Sequence, residues 1–188
     1  YSNKAYENTI QYCVGFEGYI NNLLGLHENI CNKNVSFAQY NSNNCSIKKQ
    51  YYPAIKHTKP VKNSISLNKN IIISAPNKAG KTTILKSTLM NIIFSQQVGC
   101  GFYDSCNMTP YSHLHSYLNI PDTSGRDSLF QAESRRCKEI IEAINKSDTS
   151  EKHFCIFDEL YSGTNPEEAV KSANAFLKYL KTFSSVNF

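Results

Sequence analysis

The segment Ile71-Ile72-Ile73-Ser74-Ala75-Pro76-Asn77-Lys78-Ala79-Gly80-Lys81-Thr82-Thr83 restricts the fold of this chain more than any other. Three consecutive β-branched residues read as a buried strand. A loop of the form Ala-x-x-x-x-Gly-Lys-Thr follows, and then a stretch with helical periodicity. Strand, glycine-containing loop and helix in that order form the context of a phosphate-binding loop. A triphosphate packs several negative charges into a small volume. Successive backbone N–H groups of a wrapped loop make an anion-binding concavity, and the first turn of the next helix adds free N–H groups and the positive end of its dipole. Residues Ala75, Pro76, Asn77, Lys78, Ala79, Gly80, Lys81, Thr82 and Thr83 are therefore the candidate nucleotide-binding residues. Gly80 lacks a Cβ, which frees the backbone to approach a phosphate. Lys81 supplies a mobile charge for the β- and γ-phosphates, and Thr82 a hydroxyl for Mg²⁺. Ala75 stands where this motif usually has glycine, and is small enough to fit. A Gly-Lys-Thr triplet also occurs in ordinary turns, so a second signal is needed.

Phe154-Cys155-Ile156-Phe157-Asp158-Glu159 provides it. An apolar run ending in two carboxylates reads as a buried strand with acids at its C-terminal end, the side on which open α/β sheets bind ligands. Asp158 is placed to hold the Mg²⁺ shell, and Glu159 to act as general base on an attacking water. An exposed turn with two solvated acids fits less well after four apolar residues. The catalytic candidates are Glu159, Lys81 and Asp158; the metal candidates are Thr82 and Asp158.

Composition narrows the class. A chain of 188 residues suits one domain, or one domain plus a fragment of another. Hydrophobic residues make up 40%, and no apolar run approaches a membrane span. The net charge of +5 is compatible with nucleic acid but does not require it. Seven cysteines without a C-x-x-C pair read as reduced thiols rather than a zinc site, which implies an intracellular location, whether nucleus, cytoplasm or viral factory. The three arginines, Arg126, Arg135 and Arg136, lie close together. They read either as planar contacts to carboxylate or phosphate or as one solvated helix face. The chain starts without Met and stops at Ser185-Val186-Asn187-Phe188, which reads as the start of a strand, so a piece of a longer protein is expected.

Along the chain, residues 1–30 carry a helical stripe of Ile10, Val14, Phe16, Ile20, Leu23, Leu24 and Leu26. Phe16 reads as core. Residues 31–50 are Asn-, Ser- and Lys-rich and read as loop or weak strand. Thr83 to Gln97 is predicted helical, Gly99–Tyr103 a strand, and 104–124 irregular, with turn signals at Asn107, Pro110, Pro121 and Ser124-Gly125. A helix over Phe130, Cys137, Ile140, Ile141 and Ile144 is opened by Asp127 or Ser128 as cap. A last helix buries Ala169, Val170, Ala173, Phe176, Leu177 and Leu180. Strands alternating with helices predict an α/β fold with a mainly parallel central sheet flanked by helices.

The order of these motifs resembles the ATPase domain of the MutS family of DNA mismatch-repair proteins. Ser74 to Thr83 is similar to that family's T-G-P-N-x-x-G-K-S-T, with Pro76-Asn77 the telling pair. Gln97-Val98-Gly99-Cys100 resembles its Q-x-G-C/S. Gly125-Arg126-Asp127-Ser128-Leu129-Phe130-Gln131-Ala132-Glu133 resembles its G-x-S-T-F-x-x-E, and Asp158-Glu159-Leu160-Tyr161-Ser162-Gly163-Thr164 its D-E-x-x-x-G-T. Tyr51-Tyr52-Pro53 departs from the family pattern and suggests a divergent branch. The resemblance implies a P-loop NTPase of the ABC-type ATPase-like kind. Residues 46–188 would be the ATPase domain, cut at its C-terminus, and residues 1–45 the end of the helical lever before it. It implies ATP and Mg²⁺ as cofactors, and a homo- or heterodimer through the ATPase domain. Ser128 would reach the γ-phosphate on the partner subunit, Val61 and Asn63 would lie near the adenine, and double-stranded DNA would be bound by domains outside this chain. Hydrolysis in this stretch alone is expected to be weak. Two other functions fit the same residues: a nucleotide-gated dimerisation module with little hydrolysis, and another P-loop enzyme such as a small-molecule kinase.

Overall fold

The computed structural model describes residues 4–41, 45–118 and 128–188. The turn signals at Pro121 and Ser124-Gly125, and the readings on Arg126 and Asp127, lie outside these residues.

Helix α1 (Lys4–Cys31) is followed by strands β1 (Ser36–Tyr40) and β2 (Ser46–Gln50), a short 3₁₀ turn at Pro53–Thr58 and strand β3 (Asn63–Ser66). Helix α2 (Lys81–Val98) leads to β4 (Cys100–Gly101), β5 (Ser105–Met108) and β6 (His113–Tyr117). The chain then runs through α3 (Leu129–Lys146), β7 (His153–Phe157), α4 (Pro166–Leu180) and β8 (Val186–Asn187).

The fold is α/β, but the expectation of one mainly parallel sheet is corrected. The strands form two sheets. The three-stranded one, in the order β6-β7-β8, is wholly parallel. The five-stranded one, in the order β3-β2-β5-β1-β4, has antiparallel pairings throughout except between β1 and β5. The difference follows from connection length. Successive strands run parallel only when a crossover of about a dozen or more residues, usually a helix, joins them, and β7 and β8 are reached through α3 and α4. β1 to β3 follow one another with no α-helix between them, so β2 and β3 fold back as neighbours.

The parallel sheet is covered on both faces, as such sheets require. Phe154 and Ile156 of β7 enter a core cluster with Ile92 of α2 and with Ile47, Cys106 and Met108 of the mixed sheet. Cys155, one residue out of phase, enters a second cluster with Cys137, Ile140 and Ile144 of α3 and Phe176 and Leu180 of α4. This two-sided burial carries the β7 strand to the acidic pair at its end. α3 is opened by Ser128, whose Oγ accepts from the Gln131 backbone N–H at 3.3 Å, while Gln131 Oε1 accepts from the Ser128 N–H at 2.9 Å. This reciprocal cap satisfies two donors left free at the helix start. Arg136 ties α3 to β6: its Nε and Nη2 both donate to the Ser116 carbonyl at 3.1 Å, and its Nη1 to Glu139 at 3.0 Å.

Three further corrections concern burial. Ile71 to Ser74 is extended but joins no strand ladder. Its exposure alternates, Ile72 being 80% exposed. The neighbouring edge is the short β8, which offers it one bond, from Ile71 N–H to the Phe188 carbonyl at 2.8 Å. Phe16 is 57% exposed rather than core, its ring stacked only on Tyr12 of the same helix among the described aromatic residues. Val170 of α4 is exposed as well. Among the described residues no helix is long and apolar enough to cross a membrane.

A histidine stack at the N-terminal ends of β6 and β7 makes stability depend on pH. His113 pairs with His153 across the parallel ladder, their rings stacked at 4.6 Å. His115 Nε2 lies 3.0 Å from His153 Nδ1. One of these two nitrogens must be bare to accept, so the pair resists double protonation. Burial, with His153, His113 and Arg136 nearby, pushes the His115 pKa down to about 4. Burial and His113 lower that of His153, which Glu151 opposes. A histidine depressed on folding contributes stability that is complete above its ordinary pKa and lost as pH falls toward the folded value. The melting temperature is therefore expected to fall as pH drops from 6.5 toward about 4. His115→Gln is expected to flatten that slope. Equal melting temperatures at pH 7 and pH 4.5 would refute this.

Candidate functional site

The residues that carry the two sequence signals meet at one place. β7 ends at Phe157, and Asp158 continues its register by donating its backbone N–H to the Tyr117 carbonyl at 3.0 Å. The Asp158 carboxylate then accepts from Thr82 Oγ1 at 2.7 Å. This bond joins the first turn of α2 to the end of β7 across 76 residues of sequence. Asp158 and Glu159, on consecutive residues, leave the sheet differently. Asp158 turns to α2, whereas Glu159 takes a left-handed backbone with φ of 51° and is exposed. Tyr161 is also left-handed, at φ 59°. For residues with a Cβ this conformation costs on the order of 1–2 kcal/mol each. It persists where surrounding contacts over-determine it, which concentrates at functional sites.

The loop before α2 is shaped by two further left-handed residues, Lys78 at φ 65° and Gly80 at φ 92°. Gly80 holds the N-cap position of α2, and no side chain caps the helix there. The amides of the first turn thus have no side-chain acceptor, an arrangement suited to an anion. Ala79 N–H closes a turn onto the Pro76 carbonyl at 3.2 Å. Lys81 Nζ reaches back over the loop to the Ala75 carbonyl at 2.8 Å. Residues Pro76 to Gly80 are all exposed, as is Thr83.

A groove of about 350 Å³ opens between the extended 71–75 segment and the end of β7. Ala75, Lys81, Asp158 and Glu159 line it, above an apolar floor that includes Leu85 and Ile156. The loop residues 76–80 do not line it, nor do Val61, Asn63 and Ser128. Val61 is 80% exposed, Asn63 begins β3 opposite Gln50, and Ser128 is exposed at the start of α3.

The donor set fits Mg²⁺ bound with a phosphate. In an octahedral shell with metal–oxygen distances near 2.0–2.1 Å, adjacent oxygens lie about 2.9 Å apart. Thr82 Oγ1 and Asp158 Oδ2, at 2.7 Å, are close to that spacing. Among the described residues no group of three His, Cys, Asp or Glu side chains could hold a metal unaided. A divalent ion here would complete its shell from phosphate and water.

Sequence reading did not pick out the residues that hold the loop after Glu159. Glu133 is 1% exposed. Its Oε1 accepts from the Ser162 N–H at 2.9 Å and the Ser162 hydroxyl at 3.0 Å, and its Oε2 from the Gly163 N–H at 3.1 Å. Tyr117 receives the Tyr161 N–H on its hydroxyl at 3.3 Å. Burial raises the Tyr117 pKa far above its ordinary value, with Glu133 against it adding to the shift. The advance signal for Glu133 was its place as the last residue of the segment that resembles the G-x-S-T-F-x-x-E motif.

Comparison with known proteins finds distant MutS-type relatives. The chain is 27% identical over 142 residues to the Endonuclease MutS2 of Staphylococcus saprophyticus, covering 73% of this chain and 18% of that protein. It is 26% identical over 147 residues to the Endonuclease MutS2 of Staphylococcus carnosus, covering 76% and 18%. To the Endonuclease MutS2 of Staphylococcus aureus strain bovine RF122 it is 28% identical over 143 residues, covering 73% and 18%. The relation to MutS-type proteins is thus distant, and the chain spans less than a fifth of the length of the curated relatives it matches. No family model matches the chain.

Proposed function

We propose that this chain is the ATP-binding and ATP-hydrolysing unit of a MutS-like protein that acts on DNA, with a P-loop NTPase fold. The observation that carries the reading is the 2.7 Å bond between Thr82 and Asp158. It brings the hydroxyl after the loop lysine onto the first acid of the second motif, the pairing that Mg-nucleotide binding requires. The uncapped start of α2 and the exposed 76–80 loop add amide donors for the phosphates. Lys81 would exchange its bond to the Ala75 carbonyl for the β- and γ-phosphates. When bound, Mg²⁺ supplies charge neutralisation on those phosphates, held by Thr82 and Asp158. Glu159 would take the proton of the attacking water.

Ser128, exposed at the positive end of an 18-residue helix, suits contact with the γ-phosphate of a second subunit, giving a dimer with composite sites. Val61 and Asn63 would reach the base only if the nucleotide extends from the groove toward β3. The relatives' name, endonuclease, denotes an enzyme that acts on nucleic acid. We carry that partner class to any larger protein containing this chain, with ATP turnover changing its grip on DNA.

Calorimetric titration with ATP tests the reading. Binding is expected with Mg²⁺ and at least about tenfold weaker in EDTA, a loss of roughly 1.4 kcal/mol. Absence of binding in both conditions would overturn it.

A further inference from the structure

The loop after Glu159 does not hold itself. Glu159 and Tyr161 both sit in left-handed conformations without being glycine, and the backbone amides of Tyr161, Ser162 and Gly163 are taken by side chains from elsewhere. Tyr117 takes the first, and Glu133 takes the second and third. Glu133 lies in the second turn of α3, the helix that Ser128 caps. The same helix start meets the loop directly. A Cβ on Gly163 would lie 2.7 Å from the Phe130 backbone nitrogen and 2.8 Å from Leu129 Cγ. The requirement for glycine there is one of space, since the contact is with the backbone of the turn that follows Ser128. Two sequence motifs that looked independent, one ending in Glu133 and the other in Gly163-Thr164, are therefore halves of one joint.

We propose that Glu133 is a positioning residue that locks the Leu160–Gly163 loop to the N-terminal turn of α3, so that Glu159 and Ser128 shift together. Its catalytic consequence rests on the ATPase reading above. In a dimer of composite sites, Ser128 would serve the partner's nucleotide and Glu159 its own. Movement of α3 as Ser128 engages or releases phosphate would then be carried to the general base of the other site. Glu133 does not line the groove; it acts through the loop it holds.

The test compares wild type with Glu133→Gln, Glu133→Ala and Gly163→Ala. Glutamine keeps the volume but turns an amide NH₂ toward N–H donors, which leaves at least one loop amide unpaired. Hydrogen exchange over 160–164 is measured without nucleotide, with β7 as the reference for global folding. The expected result is at least about tenfold faster exchange in the loop with β7 protection unchanged. Unchanged loop exchange in both Glu133 variants would overturn the proposal. Under Mg-ATP, kcat is expected to fall at least about tenfold while KM for ATP stays within about twofold, a split that general destabilisation would not produce. An unaltered kcat beside a loosened loop would refute the catalytic role. If wild type turns over no ATP, the functional reading fails, and the exchange measurement still decides the joint. Should Glu133→Ala not fold, Glu133→Gln and Gly163→Ala, which attack the joint from its two sides, carry the same outcomes.

Discussion

Lys81→Ala is expected to weaken ATP binding about 100-fold or more while leaving the fold intact. The amine donates to the Ala75 carbonyl at 2.8 Å. That bond is local to the loop and half-exposed, so its loss costs little. Alanine is also the best helix former, and Lys81 is the first residue of α2. The melting temperature should therefore change by no more than a few degrees. A triphosphate is another matter. An ammonium bonded to two phosphate oxygens makes charge-assisted hydrogen bonds worth roughly 1.5–3 kcal/mol each, and 2.8 kcal/mol is already about 100-fold in affinity. Lys81→Arg is a poor rescue, because a planar fork does not replace a point charge on a flexible stem. Titration with a fluorescent ATP analogue checks the result. Affinity within about threefold of wild type would remove Lys81 from the phosphate site and the loop from its assigned role.

How much of this was legible in the sequence depends on where each element finds its partners. β7, α3 and α4 were readable because their own residues carry the burial pattern. Phe154, Cys155 and Ile156 are buried on both faces of a parallel strand, and Ser128 with Gln131 writes the cap of α3 in adjacent positions. β1 and β2 were legible only as loop or weak strand, and β5 fell in a stretch that reads as irregular. Their sequences, SFAQY, SIKKQ and SCNM, are short and each carries polar residues, and β5 is held by β1 and β2 across long separations in the chain. α2 hides a similar case. Thr88, Asn91 and Ser95 are buried polar residues on what looks like a solvent face. Thr88 accepts from Gln50 at 2.7 Å, Asn91 accepts from the Phe102 N–H at 2.7 Å, and Ser95 bonds the Tyr103 hydroxyl at 2.8 Å. Each satisfies a group that arrives from another element, which local pattern cannot reveal. α1 shows the opposite failure: its apolar stripe predicted burial, yet Val14, Phe16 and Leu24 remain exposed. At the site, the residues bearing charge were legible by type and spacing. The role of Glu133 was not, because the loop amides it binds, 29 and 30 residues away, carry no side-chain signal.

Glu159→Gln is expected to lower single-turnover ATP hydrolysis by about 10²- to 10⁴-fold, the usual range for loss of a general base, with ATP affinity within about threefold of wild type. Glutamine reproduces the size and hydrogen-bond reach of the side chain but cannot take a proton at neutral pH. Binding should survive because Glu159 is not the acid bonded to Thr82; Asp158 is. The two acids are separated in role by the backbone itself. Asp158 is fixed in the ladder by the Tyr117 carbonyl, whereas Glu159 steps out in a left-handed turn to the exposed side of the groove. The experiment also discriminates among the functions that fit the sequence. A large loss of rate with retained binding supports hydrolysis by water activation. An unchanged rate would mean that Glu159 does not act as base, and would favour a nucleotide-gated dimerisation module. A rate that depends on an added acceptor rather than on water would instead identify a phosphotransferase, since a bound acceptor hydroxyl would have to occupy the position beside Glu159 that hydrolysis gives to water.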